Sequence, residues 1–141
     1  MAEKSLNFIA EIGLNHNGNF GLIFELIKQA SYSGADFAKF QLGWRAQPGE
    51  INQLKKEDIE QIMKSCRHFN IKPLFSIFNS AAFELAERFG MQNYKIASRT
   101  VIEDPELVRK VIETEKSVYI SLGMTQETHP FAFSNNIHYL W

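Results

Sequence analysis

Cysteine is nearly absent from this chain. Cys66 is the only one in 141 residues, which excludes an internal disulfide and any metal site built on several thiolates. No apolar run approaches the roughly 18 residues that a membrane-spanning helix requires. Neither sign of charge is in excess: 15 Lys and Arg stand against 16 Asp and Glu, and no basic run offers a surface for nucleic acid or an anionic membrane. The stretch from Met1 to Gly13 carries Glu3, Lys4 and Glu11 and lacks the apolar centre of a signal peptide, so a reduced, cytoplasmic setting is expected. Also missing are a Gly-rich phosphate loop, zinc-ligand spacing, a catalytic-triad pattern, low-complexity segments and close repeats.

What is present is a recurring unit: a short apolar run, a polar loop, then an amphipathic stretch. Leu6–Ile12 reads as a first strand and Gly13–Asn19 as a loop, with Asn19 placed to cap a helix over about Phe20–Ser33 that Gly34 ends. Asp36–Gln41 reads as the second strand, followed by a longer loop through Pro48 and Gly49. A helix over about Lys56–Phe69 puts Ile59, Ile62, Met63, Cys66 and Phe69 on one face, which makes Cys66 a buried, inert thiol. Lys72–Phe78 is a third strand, Ser80–Phe89 a helix ended by Gly90, and Tyr94–Ala97 a short fourth strand. Asp104 suits an N-cap and Pro105 the first helical position of a helix reaching about Thr114. Val118–Leu122 is a fifth strand and Ile137–Trp141 the start of a sixth. Strands alternating with helices imply right-handed βαβ units and a parallel sheet, closed as a barrel or open and doubly wound. The chemistry at the strand ends favours the barrel.

Functional groups in parallel α/β folds collect at the carboxyl ends of strands. Here those ends carry Glu11, Lys39 and Gln41, Ser76 and Asn79, Lys95 and Ser98, then Ser121. Lys39 and Lys95 are embedded among apolar residues, in FAKFQ and YKIAS, so strand alternation can turn each inward. An unpaired ammonium there is costly, and a bound anion would compensate it. Two such lysines point to a doubly negative ligand, a phosphate or a phosphate with a carboxylate. The alternative is that both face outward and snorkel to solvent. Glu11 fits a base, a substrate-hydroxyl acceptor or an ion-pair partner for a lysine. Within Asn15-His16-Asn17-Gly18, His16 read alone is a surface residue of a turn.

The same residues carry a family likeness. FIAEIGLNHNG at Phe8–Gly18, GADFAKFQ at Gly34–Gln41, YKIAS at Tyr94–Ser98 and SLGM at Ser121–Met124 resemble, in order and spacing, four motifs of the N-acetylneuraminate (sialic acid) synthases and their relatives. The resemblance implies a (β/α)8 TIM barrel, of which residues 1–141 would be the N-terminal portion, about the first five to six βα units. It implies condensation of phosphoenolpyruvate with an open-chain N-acylated amino sugar, N-acetylmannosamine or a relative, with release of phosphate. On that reading Lys39 and Lys95 hold the phosphate and carboxylate, Ser98 and Ser121 are further donors, Glu11 lies near the reacting carbons, and Gln41 shapes the pocket. The complete enzyme is expected to use a divalent metal (Mn2+ or Mg2+) held by two later histidines and to be a homodimer. His16, His68, His129 and His138 do not match those ligands, so no metal residue is assigned.

The chain departs from the family pattern at Ser76-Ile77-Phe78, where Ser-Thr-Pro is usual, at Thr100, where an acidic residue is common, and at Leu122, where threonine is common. A full barrel takes about 250 residues, and the family adds a small C-terminal antifreeze-like domain. The isolated chain is therefore expected to be inactive, poorly soluble or self-assembled, with Leu140 and Trp141 ending in an exposed apolar patch. Rival readings are a non-catalytic half-barrel that binds a phosphorylated metabolite, a class I aldolase using Lys39 or Lys95 as a Schiff base, and a related synthase acting on a phosphorylated sugar.

Overall fold

A parallel sheet buried on its helix-facing side needs apolar residues at every second strand position, and this chain provides them. In the computed structural model, residues 6–128, 130–131 and 133–140 are described. The strands are β1 (Ile9–Gly13), β2 (Phe37–Leu42), β3 (Lys72–Ile77), β4 (Asn93–Ile96), β5 (Ser117–Ser121) and β6 (Ile137–Leu140). Between them lie helices α1 (Phe20–Tyr32), α2 (Lys56–His68), α3 (Ser80–Arg88), α4 (Ser98–Glu103) and α5 (Pro105–Ile112). The readings on Glu3, Lys4, His129 and Trp141 fall outside the described residues.

All neighbouring strands pair in parallel, and the sheet order is β1-β2-β3-β4-β5-β6. That order decides between the two closures. A doubly wound sheet reverses direction at a switch point. Here each strand is added beside the last without reversal, as in a barrel wall. The fold is a partial (β/α)8 barrel.

One sheet face, with Ala38, Phe40, Phe75, Ile77, Tyr94, Ile96, Val118 and Ile120, packs on Ile23, Ile27, Ile59, Ile62, Ala86, Leu107, Val108 and Val111 of the helices. Cys66 lies in that core, and burial pushes its thiol up to about 12. Tyr94 is also buried there, its hydroxyl directed to Glu87, which pairs with Lys116 at 2.7 Å. The opposite face carries a smaller cluster of Phe37, Leu74 and Tyr119. This is the barrel interior, and the candidate site lies above it.

The helix caps form as the sequence predicts. Asn19 Oδ1 accepts from Leu22 N–H at 3.2 Å, and Asp104 Oδ1 accepts from Leu107 N–H at 3.1 Å with Pro105 in the first turn. One local expectation is corrected, and two features lie beyond what the sequence predicts. The first strand begins at Ile9, because Leu6 and Phe8 have no neighbour to cover them and are 80% and 63% exposed. Residues after the fourth strand form α4, although Thr100, Val101 and Ile102 are β-branched. Burial of Thr100 and Val101 against the barrel outweighs that propensity. The connection from β5 to β6 holds no helix among its described residues, so the strand–helix alternation lapses there.

Candidate functional site

Side chains two positions apart on a strand share a face. Phe37 belongs to the interior cluster, so Lys39 and Gln41 face inward above it. Ser76, Lys95 and Tyr119 stand side by side in register on the same face, and Ser121 lies one step beyond Tyr119. Both lysines are buried, Lys39 at 6% and Lys95 at 8% exposure, which sets aside the outward, snorkelling reading.

Their partners differ. Lys39 Nζ pairs with the carboxylate of Glu11, its neighbour in register on β1. Lys95 Nζ donates to Ser121 Oγ at 2.6 Å and to the Ile96 carbonyl at 2.7 Å, both neutral. Burial, followed by the nearby charge of Lys39, holds the Lys95 ammonium down from 10.5 to about 8, with Glu11 opposing. Lys95 is thus the buried cation of the site that no carboxylate contacts among the described residues.

Glu11 lies shallower than expected, with its side chain 60% exposed, because β1 is an edge strand among the described residues. A break in register between Glu11 and Gly13, with Gly13 at φ +56°, turns the end of β1 towards Gln41. A Cβ on Gly13 would stand 3.2 Å from Glu11 Oε1 and 3.9 Å from Gln41 Nε2. Ser98 opens α4 instead of closing β4. A Cβ on Gly123 would lie 3.6 Å from its Oγ, which brings Ser98 beside the turn that follows Ser121. The structure therefore gathers Glu11, Lys39, Gln41, Lys95 and Ser121 at the inner strand ends, with Ser98 at their rim.

His16 is not a surface residue. It is fully buried, its Nδ1 accepts from Gly18 N–H at 3.1 Å, and burial lowers its pKa against the opposing charge of Asp58. Gly18 explains the burial: at φ +72° the loop docks so closely that a Cβ would lie 2.6 Å from the Ile51 carbonyl oxygen. His68 is taken up by Phe24 and Phe69, and His138 stacks on Tyr119 at 4.8 Å. Among the described residues no three His, Cys, Asp or Glu side chains converge to hold a metal ion, so the donor set present does not fit one. Ile77 and Leu122, two of the departures from the family pattern, are buried in the helix-side core, and Thr100 is buried at 4% exposure.

Two adjoining cavities border this cluster, a feature that the sequence reading passes over as a loop through Pro48 and Gly49. One, of about 340 Å³, is walled by Gln41, Trp44, Asn52, Leu54, Asn79 and Leu85. The other, of about 410 Å³, shares Gly43, Trp44, Ala46 and Asn79 with it and extends to Arg45, Gln47 and Arg99. Arg99 lies over the Trp44 ring at 5.6 Å and pairs with Glu103 at 3.1 Å.

Comparison with known proteins fits this geometry. The model of the NeuB family matches residues 48–130. The chain belongs to the NeuB family. It is 27% identical over 145 residues to the N,N'-diacetyllegionaminic acid synthase of Campylobacter jejuni, covering 86% of this chain and 43% of that protein. It is 28% identical over 144 residues to the pseudaminic acid synthase of Helicobacter pylori, covering 85% and 42%. Among solved structures, the N-acetylneuraminic acid (sialic acid) synthetase of Leptospira borgpetersenii superposes with a TM-score of 0.79 at 21% identity, over 89% of this chain and 47% of that one. A truncated 3-deoxy-D-arabino-heptulosonate 7-phosphate synthase from Thermotoga maritima shares the fold with a TM-score of 0.67 at 12% identity, over 86% and 42%. The chain spans less than half the length of each of the two synthases and of the sialic acid synthetase.

Proposed function

We propose that this chain carries the anion site of a nonulosonic acid synthase, which joins phosphoenolpyruvate to an N-acylated amino sugar and releases phosphate. The observation that carries this reading is the Lys95 ammonium: buried on the inner face, bonded only to neutral acceptors, and next to a second lysine. Such a charge is compensated by an anion arriving from solvent. Membership of the NeuB family and the likeness to a legionaminic acid synthase and a pseudaminic acid synthase support a nonulosonic acid as the product.

In this reading Lys39 and Lys95 hold the phosphate and carboxylate of phosphoenolpyruvate, and Ser98 and Ser121 donate to the same oxygens. Glu11, at the exposed end of its ion pair, lies near the reacting carbons. The C2–C3 π electrons of phosphoenolpyruvate form a bond to the aldehyde carbon, water adds to the resulting cation at C2, and the C2–O bond breaks to release inorganic phosphate. No step is assigned to a metal, because the described residues provide no site for one. The divalent metal and the homodimer implied by the family likeness remain part of the proposal for the complete enzyme. Among the described residues no helix is long and apolar enough to cross a membrane.

Titration of the chain with phosphoenolpyruvate tests the reading. Lys95→Met is expected to weaken binding about tenfold or more, since a charge-assisted contact is worth roughly 1.5–3 kcal/mol. Equal affinity in the variant would remove Lys95 from the site. The lowered pKa of Lys95 also favours a second reading, an amine nucleophile that forms a Schiff base. Borohydride reduction in the presence of pyruvate separates the two: the synthase reading expects no covalent adduct, and an adduct on Lys95 would establish the aldolase instead.

A further inference from the structure

The loop between β1 and α1 leaves the strand at Gly13 and docks on the loop between β2 and α2. That second loop is itself pinned, because Asn79 Nδ2 donates to the Gly43 carbonyl at 3.2 Å. The two loops meet at Gly18, where a Cβ would stand 2.6 Å from the Ile51 carbonyl oxygen. His16, two residues before this contact, is fully buried. Gly18 N–H donates to its Nδ1 at 3.1 Å, and a ring nitrogen that accepts carries no proton. The ring is therefore the neutral tautomer with its proton on Nε2, which is buried without a partner among the described residues. A second proton has one place to go, Nδ1. It would take the lone pair that holds Gly18 and leave a cation buried in the loop.

Charged groups stand on the elements packed around the ring: Glu11 on β1, Glu25 and Lys28 on α1, Glu50 and Lys55 in the β2–α2 loop, and Asp58 on α2. Among the described residues only Asp58 acts on the imidazole, drawing its pKa up, and burial outweighs that charge and holds the ring below its ordinary 6.5. The Asp58 carboxylate is committed elsewhere, since its Oδ2 caps the Lys55 N–H at 2.7 Å. His16 reaches the site through Gly13. A Cβ there would stand 3.2 Å from Glu11 Oε1, so the carboxylate that pairs with Lys39 lies against the residue from which the loop departs.

We propose that His16 is an acid-released latch at the mouth of the site: neutral, it holds the β1–α1 loop on the β2–α2 loop and keeps Glu11 over Lys39; protonated, it releases the loop and Glu11 with it. Lys39 then joins Lys95 in having no carboxylate contact, so acid makes the inner strand ends more cationic. The latch does not depend on which anion the site takes. With the loop open, His16 returns to its ordinary 6.5, so the open form binds more protons below that value and the closed form loses ground as pH falls. From about one pH unit above 6.5 to one below it, the open form gains up to about tenfold.

Amide exchange and histidine NMR on the full chain test the latch without added phosphoenolpyruvate, whose phosphate ionises in the same range. Protection of the Gly18 amide, corrected for the intrinsic exchange rate, is expected to fall several-fold, and up to about tenfold, across that window. The His16 ring should titrate with the same midpoint, and the Glu11 carboxyl carbon resonance should move with both. His16→Asn sets an amide oxygen near the place of Nδ1 and does not titrate. It should keep Gly18 protected at neutral pH and remove the pH dependence at Gly18 and Glu11. Gly18→Ala forces the loop off Ile51 with the imidazole intact, and should bring the His16 midpoint up towards 6.5; it supplies the second reading should His16→Asn fail to fold. Gly18 protection that ignores pH, or an equal fall in parent and His16→Asn, overturns the proposal. So does a His16 midpoint in Gly18→Ala no higher than the parent's, or a Gly18 response that leaves Glu11 unmoved.

Discussion

Replacing Lys95 by Met changes how stability depends on pH, and the structure gives both sign and size. In the folded chain the Lys95 ammonium is held at about 8, against 10.5 when unfolded. Between those values the unfolded state binds more protons, so wild-type stability rises with pH through this window. Below about 8 the full penalty is present, on the order of 3 kcal/mol from the 2.5-unit difference between 10.5 and 8. Lys95 is almost fully buried, so solvent screening takes little from that figure. Other groups act in the opposite sense at higher pH. Burial raises the Cys66 thiol from 9.0 to about 12, and it raises the Tyr94 and Tyr119 hydroxyls as well, so each costs stability as its unfolded counterpart ionises. The wild-type curve alone therefore mixes several titrations. The difference between wild type and Lys95→Met isolates one of them, because the other groups are common to both chains. Urea unfolding at intervals from pH 7 to 10 should show wild type gaining on the variant by up to about 1.4 kcal/mol per pH unit above pH 8. At pH 7, added phosphoenolpyruvate should stabilise wild type more than the variant, since the anion supplies the compensation that the fold withholds. A flat difference across the window would mean that Lys95 is hydrated, and the argument for an uncompensated cation would fail.

Two further substitutions test how the site is supported. Gly43→Ala combines a left-handed backbone, costing roughly 1–2 kcal/mol, with a Cβ placed 2.7 Å from Asn79 Nδ2 and 2.9 Å from Ala82 Cβ. A clear fall in the thermal midpoint is expected, and an unchanged midpoint would show that the loop is not pinned there. Asp104→Ala removes the side-chain acceptor for Leu107 N–H and should cost about 1 kcal/mol in urea unfolding. Asp104→Ser should recover most of it, and equal losses in both variants would refute the capping role.

The fold was legible where local chemistry and long-range packing ask for the same thing. Asn19 and Asp104-Pro105 are cap signals that need no tertiary context, and both helices start where those residues put them. Strand alternation likewise turned FAKFQ and YKIAS into inward lysines, because the residues on either side are demanded by the helix-facing core. Legibility failed where those demands conflict. Ser98–Glu103 contains Thr100-Val101-Ile102, a run that locally favours an extended chain, yet it is helical because Thr100 and Val101 bury against the barrel. Leu6–Phe8 fails in the reverse direction: the residues favour a strand, but nothing covers them.

The site was legible to the same limit. Residue type and strand position singled out Lys39, Lys95 and Ser121 as inward-facing, but what separates the two lysines is which neighbour each meets across the sheet. Register sets that for Lys39, where a one-residue slip of β1 would turn Glu11 to the other face and leave Lys39 as uncompensated as Lys95. His16 and Asn52 show the second limit. Each is polar and sits in a loop, and each is buried where a glycine of the same loop permits close approach: Gly18 against Ile51, Gly43 against Asn79. A glycine at positive φ marks where a loop can dock, but not what it docks upon. The polar atoms that such docking leaves without a partner, His16 Nε2 and Asn52 Oδ1, are set by the three-dimensional contact alone.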